Sequence, residues 1–260
     1  MAKLLTSISL CALFLALAPG ALAWDDDEAW FDPAYLQSLS LGSGTGLATI
    51  PCAEVIPHNN MVAGMDRFVV KGGIGLWDVF EVDAKADVGG NTITSNQFFT
   101  KLGQQIAMQA RARLLRQESA GFSLALGLET PDLFDSTGSG YREDFHPQVP
   151  GSFNAYVVAD RTLSLLNGMV LDLGYGTGSY HDQPFGGLGV VAFPGMLMSV
   201  EYDGSGTNYA VRMMLSSQIK LDIAFVPGAI NMVKDTLGQI MQRSLVFGVS
   251  YTEPIQWGWF

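Results

Sequence analysis

The sequence predicts an all-β fold: a single antiparallel transmembrane β-barrel of about 10–12 strands, with one short helix near the C-terminus. Three observations predict it. In the stretch 79–88, Phe80, Val82, Ala84, Ala86 and Val88 alternate with Glu81, Asp83, Lys85 and Asp87. A helix would spread those charges around its circumference, whereas a strand sets all four on one face. Only 15% of residues are charged, while 48% are hydrophobic and 30 are glycine. That balance suits a barrel whose outer surface needs no charge and is unusual for a soluble exported protein. Beyond the N-terminal leader, no uncharged apolar run is long enough to cross a membrane as a helix. The alternating strands would also suit a soluble β-sandwich, with Val82 and Leu126 in its core, and this stays the structural alternative.

The first 23 residues read as an export signal. Lys3 supplies the positive start, residues 4–17 the apolar run, and Ala21-Leu22-Ala23 a small-x-small cleavage site. The mature chain is expected to begin at Trp24, with the protein exported to the outer membrane of a Gram-negative bacterium. Cys11 lies inside the apolar run after Leu10, which does not fit a lipoprotein anchor. Cys52 is then the one cysteine of the mature chain, so no internal disulfide forms, and a buried small hydrophobe is its expected role.

Residues 24–43 form an acidic, aromatic lead-in that opens on Trp24-Asp25-Asp26-Asp27-Glu28-Ala29-Trp30-Phe31. It is expected to be loosely held, as chain termini usually are. The barrel domain is assigned to 44–260. Gly42-Ser43-Gly44-Thr45-Gly46 breaks the chain. Pro51 and Pro57 then restrict 47–57 to an edge strand or a lead-in to the first strand.

From Asn60 onward, strand-like segments follow one another. Met108, Ala110, Ala112 and Leu114 alternate with Gln109, Arg111 and Arg113. These are also good helix formers, but a period of two keeps both arginines away from the large apolar residues. Phe122, Leu124, Leu126 and Leu128 stand against Ser123, Gly127 and Glu129, and 130–150 reads as a long polar loop. Further on, Leu171 and Leu173 face Asp172; Met198, Val200 and Tyr202 face Ser199, Glu201 and Asp203. Val211 and Met213 face Arg212, and Leu221 and Ile223 face Lys220 and Asp222. Leu245, Phe247, Val249 and Tyr251 complete the set, with weaker candidates at 61–69, 153–160 and 186–193. Tight turns at Asp203-Gly204 and Ser216-Ser217 alternate with longer connections, matching short periplasmic turns and long outer loops. The stretch 229–243 spaces Ile230, Val233, Leu237, Ile240 and Met241 at helical intervals. The terminal Phe260 partly matches a barrel-assembly signal, though Pro254 interrupts the strand before it.

Two stretches carry a family resemblance. Residues 44–57, GTGLATIPCAEVIP, make a glycine-small-glycine step into a segment with two prolines. Residues 185–204, FGGLGVVAFPGMLMSVEYDG, join two strands at Pro194-Gly195 and end in Glu-Tyr-Asp-Gly. Both resemble the YjbH family of outer-membrane barrels, with Cys52 standing where a small polar residue is more usual. The likeness runs over most of 44–251, and family members are larger. It implies an outer-membrane barrel connected with exopolysaccharide secretion or matrix assembly, and no catalytic residues.

With the apolar set facing lipid, the inward set forms a lumen charge network. It comprises Glu81, Asp83, Lys85, Asp87, Arg111, Arg113, Glu129, Asp172, Glu201, Asp203, Arg212, Lys220 and Asp222. Charges inside a narrow barrel must pair or keep water, so the lumen is expected to be narrow or plugged. The expected partners are outer-membrane lipid and polysaccharide or other secretion-system proteins. Nucleic acid is disfavoured by a net charge of −11. No enzyme, cofactor or metal is expected. Ser179, His181 and Asp182 lie too close in sequence for three groups to converge as a triad. Asp144 and His146 supply at most two metal ligands, and the glycine-rich 42–46 lacks the lysine and helix of a phosphate loop. A general narrow pore, and a lipid hydrolase using His146 or His181, are the alternative functions.

Overall fold

The computed structural model describes residues 38–39, 45–47, 49–66, 69–87, 106–130, 154–165, 168–177, 180, 182–204, 206–226 and 245–254. The expected signal segment, the helix-patterned 229–243 and the terminal Phe260 lie outside these described residues.

Twelve antiparallel strands form one closed barrel. Two short strands, β1 (Ser38–Leu39) and β2 (Thr45–Gly46), pair with each other ahead of it. The barrel comprises β3 (Asn60–Asp66), β4 (Val69–Leu76), β5 (Phe80–Asp87), β6 (Ile106–Leu115), β7 (Ser123–Glu129) and β8 (Asn154–Leu163). It continues through β9 (Met169–Gly176), β10 (Gln183–Phe193), β11 (Met196–Tyr202), β12 (Thr207–Met214), β13 (Ile219–Phe225) and β14 (Leu245–Pro254). Each strand pairs with its sequence neighbour, and β14 closes on β3 from Gly248 opposite Asp66 to Pro254 opposite Asn60. Closure leaves no strand edge to hydrogen-bond with anything else. Among the described residues the helix content is α1 (Gln117–Ala120), one turn between β6 and β7 that ends at Gly121 with φ 80°.

The period-two reading of the strands corresponds to two different surfaces. On β7, Ser123, Ala125, Gly127 and Glu129 are buried, while Leu126 and Leu128 stand outside at 47% and 59% exposure. The same holds on β9, where Asp172 is fully buried between exposed Leu171 and Leu173. The outside is therefore aliphatic and the inside polar, the inverse of a globular protein. The one strand the pattern misses is β4. Its inward positions are Lys71, Gly73 and Gly75, so two of the three present no side chain to alternate with.

Exposed aromatic residues gather at both ends of the outer surface. Trp77, Phe80, Phe122, Phe193 and Tyr251 lie at the end that holds the connections 77–79, 116–122, 164–168, 194–195 and 215–218. Tyr175, Tyr202, Tyr209 and Phe247 lie towards the opposite strand ends. Two aromatic girdles around an aliphatic band are the interfacial arrangement of a bilayer-spanning barrel. The first end has only short connections. The second carries the long connections 88–105, 130–153 and 227–244. The two tight turns expected from sequence fall at opposite ends, since 203–206 shares its end with the long connections.

Candidate functional site

The interior of the barrel is occupied by the chain itself. Residues 46–57, expected to be an edge strand or a lead-in, instead cross the inside of the barrel from β11–β12 to β4–β6. Their prolines explain the difference: Pro51 and Pro57 donate no N–H to a ladder, and this segment pairs with no barrel strand. A tight reversal, in which Gly46 bridges to Pro51, folds its first half back on itself. A Cβ on Gly46 would lie 2.1 Å from the Ile50 carbonyl oxygen, so the reversal needs glycine there.

A backbone segment inside a barrel must still satisfy its N–H and C=O groups. Wall side chains of both signs do so here. Arg212 Nη1 donates to the Gly46 carbonyl (2.7 Å) and Nη2 to that of Leu47 (3.2 Å). The Thr49 N–H and hydroxyl both donate to Glu201 Oε2 at 2.6 Å, and the Ile50 N–H joins them at 3.1 Å. Arg111 Nη1 donates to the Cys52 carbonyl at 2.8 Å. The Ala53 N–H donates to Asp160 Oδ2 (2.9 Å) and the Ile56 N–H to Glu81 Oε2 (2.7 Å). Glu54, the segment's own charge, pairs with Arg113 and accepts from the Ser123 hydroxyl at 2.7 Å.

The wall groups are braced in turn. Arg111 Nη2 lies 2.6 Å from Glu81, both side chains fully buried. Arg212 Nε donates to Asp222 at 2.5 Å, and Lys85 meets Glu129 at 2.7 Å. Asn208 donates to Thr49 Oγ1 (3.0 Å) and to Asp203 (2.9 Å), while Ser199 donates to Glu201. A charged pair with additional hydrogen bonds is the arrangement that makes burial of ions tolerable.

Apolar side chains of the segment pack against apolar positions of the same wall. Leu47, Ile50 and Ala53 cluster with Val158, Val191, Leu197 and Met214, together with the rings of Tyr156, Tyr180 and Phe185. Tyr180 stacks on Phe185 with centroids 4.5 Å apart. Glycines make the space. Gly187 faces Leu47 and Ile50, Gly75 faces the carbonyls of Ile56 and Pro57, and Gly127 and Gly174 receive the rings of Tyr156 and Phe185 across the ladder. At the exit, the His58 N–H donates to Asp78 Oδ1 (2.6 Å) and the Trp77 N–H to His58 Nδ1 (3.0 Å). These bonds hold a turn in which both Trp77 and Asp78 have positive φ. That backbone is costly for a bulky residue.

Of the network residues expected from sequence, Glu81, Asp83, Arg111, Glu129, Asp172, Glu201, Asp203, Arg212, Lys220 and Asp222 are buried. Lys85 and Arg113 are partly buried. Asp87 ends β5, and its side chain is outside the described residues. The network is not one chain of ion pairs, because much of it is directed at the backbone of 46–57. Asp172 shows no hydrogen-bond partner for either carboxylate oxygen among the described residues.

Sequence reasoning missed Glu54, Asp160, Lys71 and Asn208, all of them partly or fully buried among these groups, and left Gln109 and Ser199, which it set on the polar side of their strands, out of the network. Asp160 shares its parity on β8 with Asn154, Tyr156 and Val158, so the inward face of that strand is not uniformly polar. The matching parity of Asn154 and Asp160 was the available signal.

Cys52 is buried, and desolvation, reinforced by Asp160, pushes its thiol pKa upward. Little reactive thiolate results. His146, His181, Ser179 and Asp144 lie outside the described residues, and His58 is exposed at the turn. No group of three metal-ligating side chains gathers among the described residues. No protein-family model matches the chain, and no curated protein matches it.

Proposed function

We propose that the protein is a non-catalytic outer-membrane β-barrel, closed by its own segment 46–57, that serves exopolysaccharide secretion or matrix assembly. One observation carries the membrane reading. An aliphatic outer band between two aromatic girdles surrounds an interior of buried ions, which water outside the barrel would not favour. A barrel whose interior is filled by its own chain acts through its loops and partners while the segment is in place. The exopolysaccharide part rests on the likeness of 44–57 and 185–204 to the YjbH family. Those two stretches meet in space: Glu201 holds Thr49 and Ile50, and a Cβ on Gly187 would meet Leu47 and Ile50.

Two experiments test this reading. Protein extracted from outer membranes should migrate differently on unboiled and boiled gels, because a closed ladder resists detergent until heated. Deleting the gene should lower matrix polysaccharide. A soluble periplasmic protein with no heat-dependent shift would overturn the membrane reading. A shifting protein whose loss leaves the polysaccharide unchanged would overturn the secretion role alone.

A further inference from the structure

We propose that segment 46–57 is a withdrawable plug, and that its exit opens the barrel to small hydrated cations. The proposal rests on the membrane-barrel reading above and adds an activity to it.

The wall is complete without the plug. Twelve strands close on one another. Among the described residues, the backbone pairing of 46–57 runs within the segment, to Ser38 of β1 through Gly46, or to Asn60 at its junction with β3, and none of it goes to the barrel ladder. Withdrawal therefore breaks side-chain contacts and leaves the ladder whole. The uncovered wall is apolar where Leu47 and Ile50 packed and polar elsewhere. Glu81, Asp160, Glu201, Arg111 and Arg212 would exchange plug backbone for water, at little net cost per hydrogen bond. The vacated space also stays open, because Gly73, Gly75, Gly187 and Gly189 face it with no side chain.

The sign of the selectivity follows from where the charges lie. Inward-facing Glu129, Asp160, Asp172 and Glu201 lie on β7, β8, β9 and β11, where no described lysine or arginine is buried. Asp160 stands directly opposite Asp172 across the ladder; Gly187 separates Asp172 from Glu201. The described inward cations sit elsewhere: Lys71, Lys85, Arg111 and Arg113 on β4–β6, and Arg212 and Lys220 on β12–β13. Wall carboxylates pair with three of them, Lys85 with Glu129, Arg111 with Glu81 and Arg212 with Asp222, while Arg113 pairs with Glu54, which leaves with the plug. Among the described residues, Asp172 shows no hydrogen-bond partner. One side of the emptied lumen is thus acidic, and a low-dielectric wall concentrates that field on a cation.

The test uses full-length protein in planar bilayers under a KCl gradient, with a membrane-impermeant maleimide reporting exposure of Cys52. A Cβ on Gly187 would lie 2.8 Å from Leu47 Cδ1 and 2.9 Å from Ile50 Cδ1, so Gly187→Leu should expel the plug. Glu201→Ala removes the acceptor of three plug donors without adding bulk. It should raise the plug-out population roughly tenfold to a hundredfold. Expected is a largely silent wild type with slow Cys52 labelling. Both variants should label faster, conduct, and show a reversal potential of cation-selective sign. Fast labelling without conductance overturns the channel. Conductance with anion preference overturns the assigned selectivity. If Gly187→Leu loses its heat-dependent gel shift, Glu201→Ala decides alone, and unchanged labelling in a folded Glu201→Ala protein overturns the withdrawable plug. Wild-type protein that neither shifts on gels nor enters bilayers overturns the membrane reading, and this proposal with it.

Discussion

Replacing Arg212 with alanine removes the guanidinium that ties the start of the plug to the wall. Arg212 donates to both Asp222 oxygens, at 2.5 and 3.3 Å, and to the carbonyls of Gly46 and Leu47. Breaking a buried ion pair from one side costs about 3–5 kcal/mol, because the remaining charge is left in a poor solvent. Each carbonyl left unsatisfied adds about 1–3 kcal/mol. Two effects reduce the sum. Lys220 is the neighbouring inward residue on β13, two positions from Asp222, and a loosened Gly46–Leu47 can admit water. The expected cost of Arg212→Ala is therefore about 4 kcal/mol, nearer the ion-pair term than the total. Urea unfolding in lipid vesicles, read by the heat-dependent gel band, measures it. Combining Arg212→Met with Asp222→Leu removes both charges at similar volume and should recover at least about half of the loss. A single-substitution cost below about 1 kcal/mol, or a double variant less stable than Arg212→Ala, would refute the reasoning.

Three further substitutions separate the surfaces. Gly75→Ala sets a methyl group 2.0 Å from the Ile56 carbonyl oxygen, whereas the nearest atom to a Cβ on Gly72 is 3.5 Å away. The first should cost about 1–3 kcal/mol in the same urea assay and the second under about 0.5; equal costs would show that the plug does not press on Gly75. Leu173→Arg charges an outward residue that is 61% exposed. It should cost about 2–4 kcal/mol in vesicles if that band meets lipid, and a neutral result would place the band in water. Asp172→Asn replaces a buried carboxyl group that has no hydrogen-bond partner among the described residues, and should be neutral or stabilising by about 1 kcal/mol. A large loss there would mean that the carboxylate holds something that its surroundings do not show.

The barrel was legible in strands whose inward positions are polar and whose outward positions are apolar. Arg111 and Arg113 settle β6 as a strand, and Glu81, Asp83 and Lys85 do so for β5. Where an inward position is glycine, the alternation falls silent. Gly73 and Gly75 hid β4 for that reason, and Gly187 and Gly189 blurred β10. Tyr156 and Val158 are inward too, because the wall facing Leu47 and Ile50 is apolar. A rule of polar inside and apolar outside fails on that patch. The aromatic girdles were out of reach for a different reason. Trp77, Phe122 and Tyr251 are far apart in sequence, and the antiparallel order of the strands places them at one end.

The plug was hidden because its partners are backbone groups, which a sequence does not label. Reading Glu201 or Arg111 invites a search for the opposite charge, yet each also holds a peptide unit: Glu201 those of Thr49 and Ile50, Arg111 that of Cys52. The prolines that pointed to an edge strand or a lead-in for 47–57 suit it to the interior. A proline has no N–H to satisfy, so Pro51 and Pro57 reduce what the wall must supply. The donors and acceptors that remain are irregularly spaced, and no strand ladder could meet them. Long side chains of both signs can reach them, which accounts for glutamates and arginines where a side-chain-filled barrel would need only apolar residues. By this argument the charge in the lumen tracks the amount of irregular backbone it has to hold. Removing a carboxylate that holds an N–H, such as Glu201, should then cost more than removing one that holds none, such as Asp172.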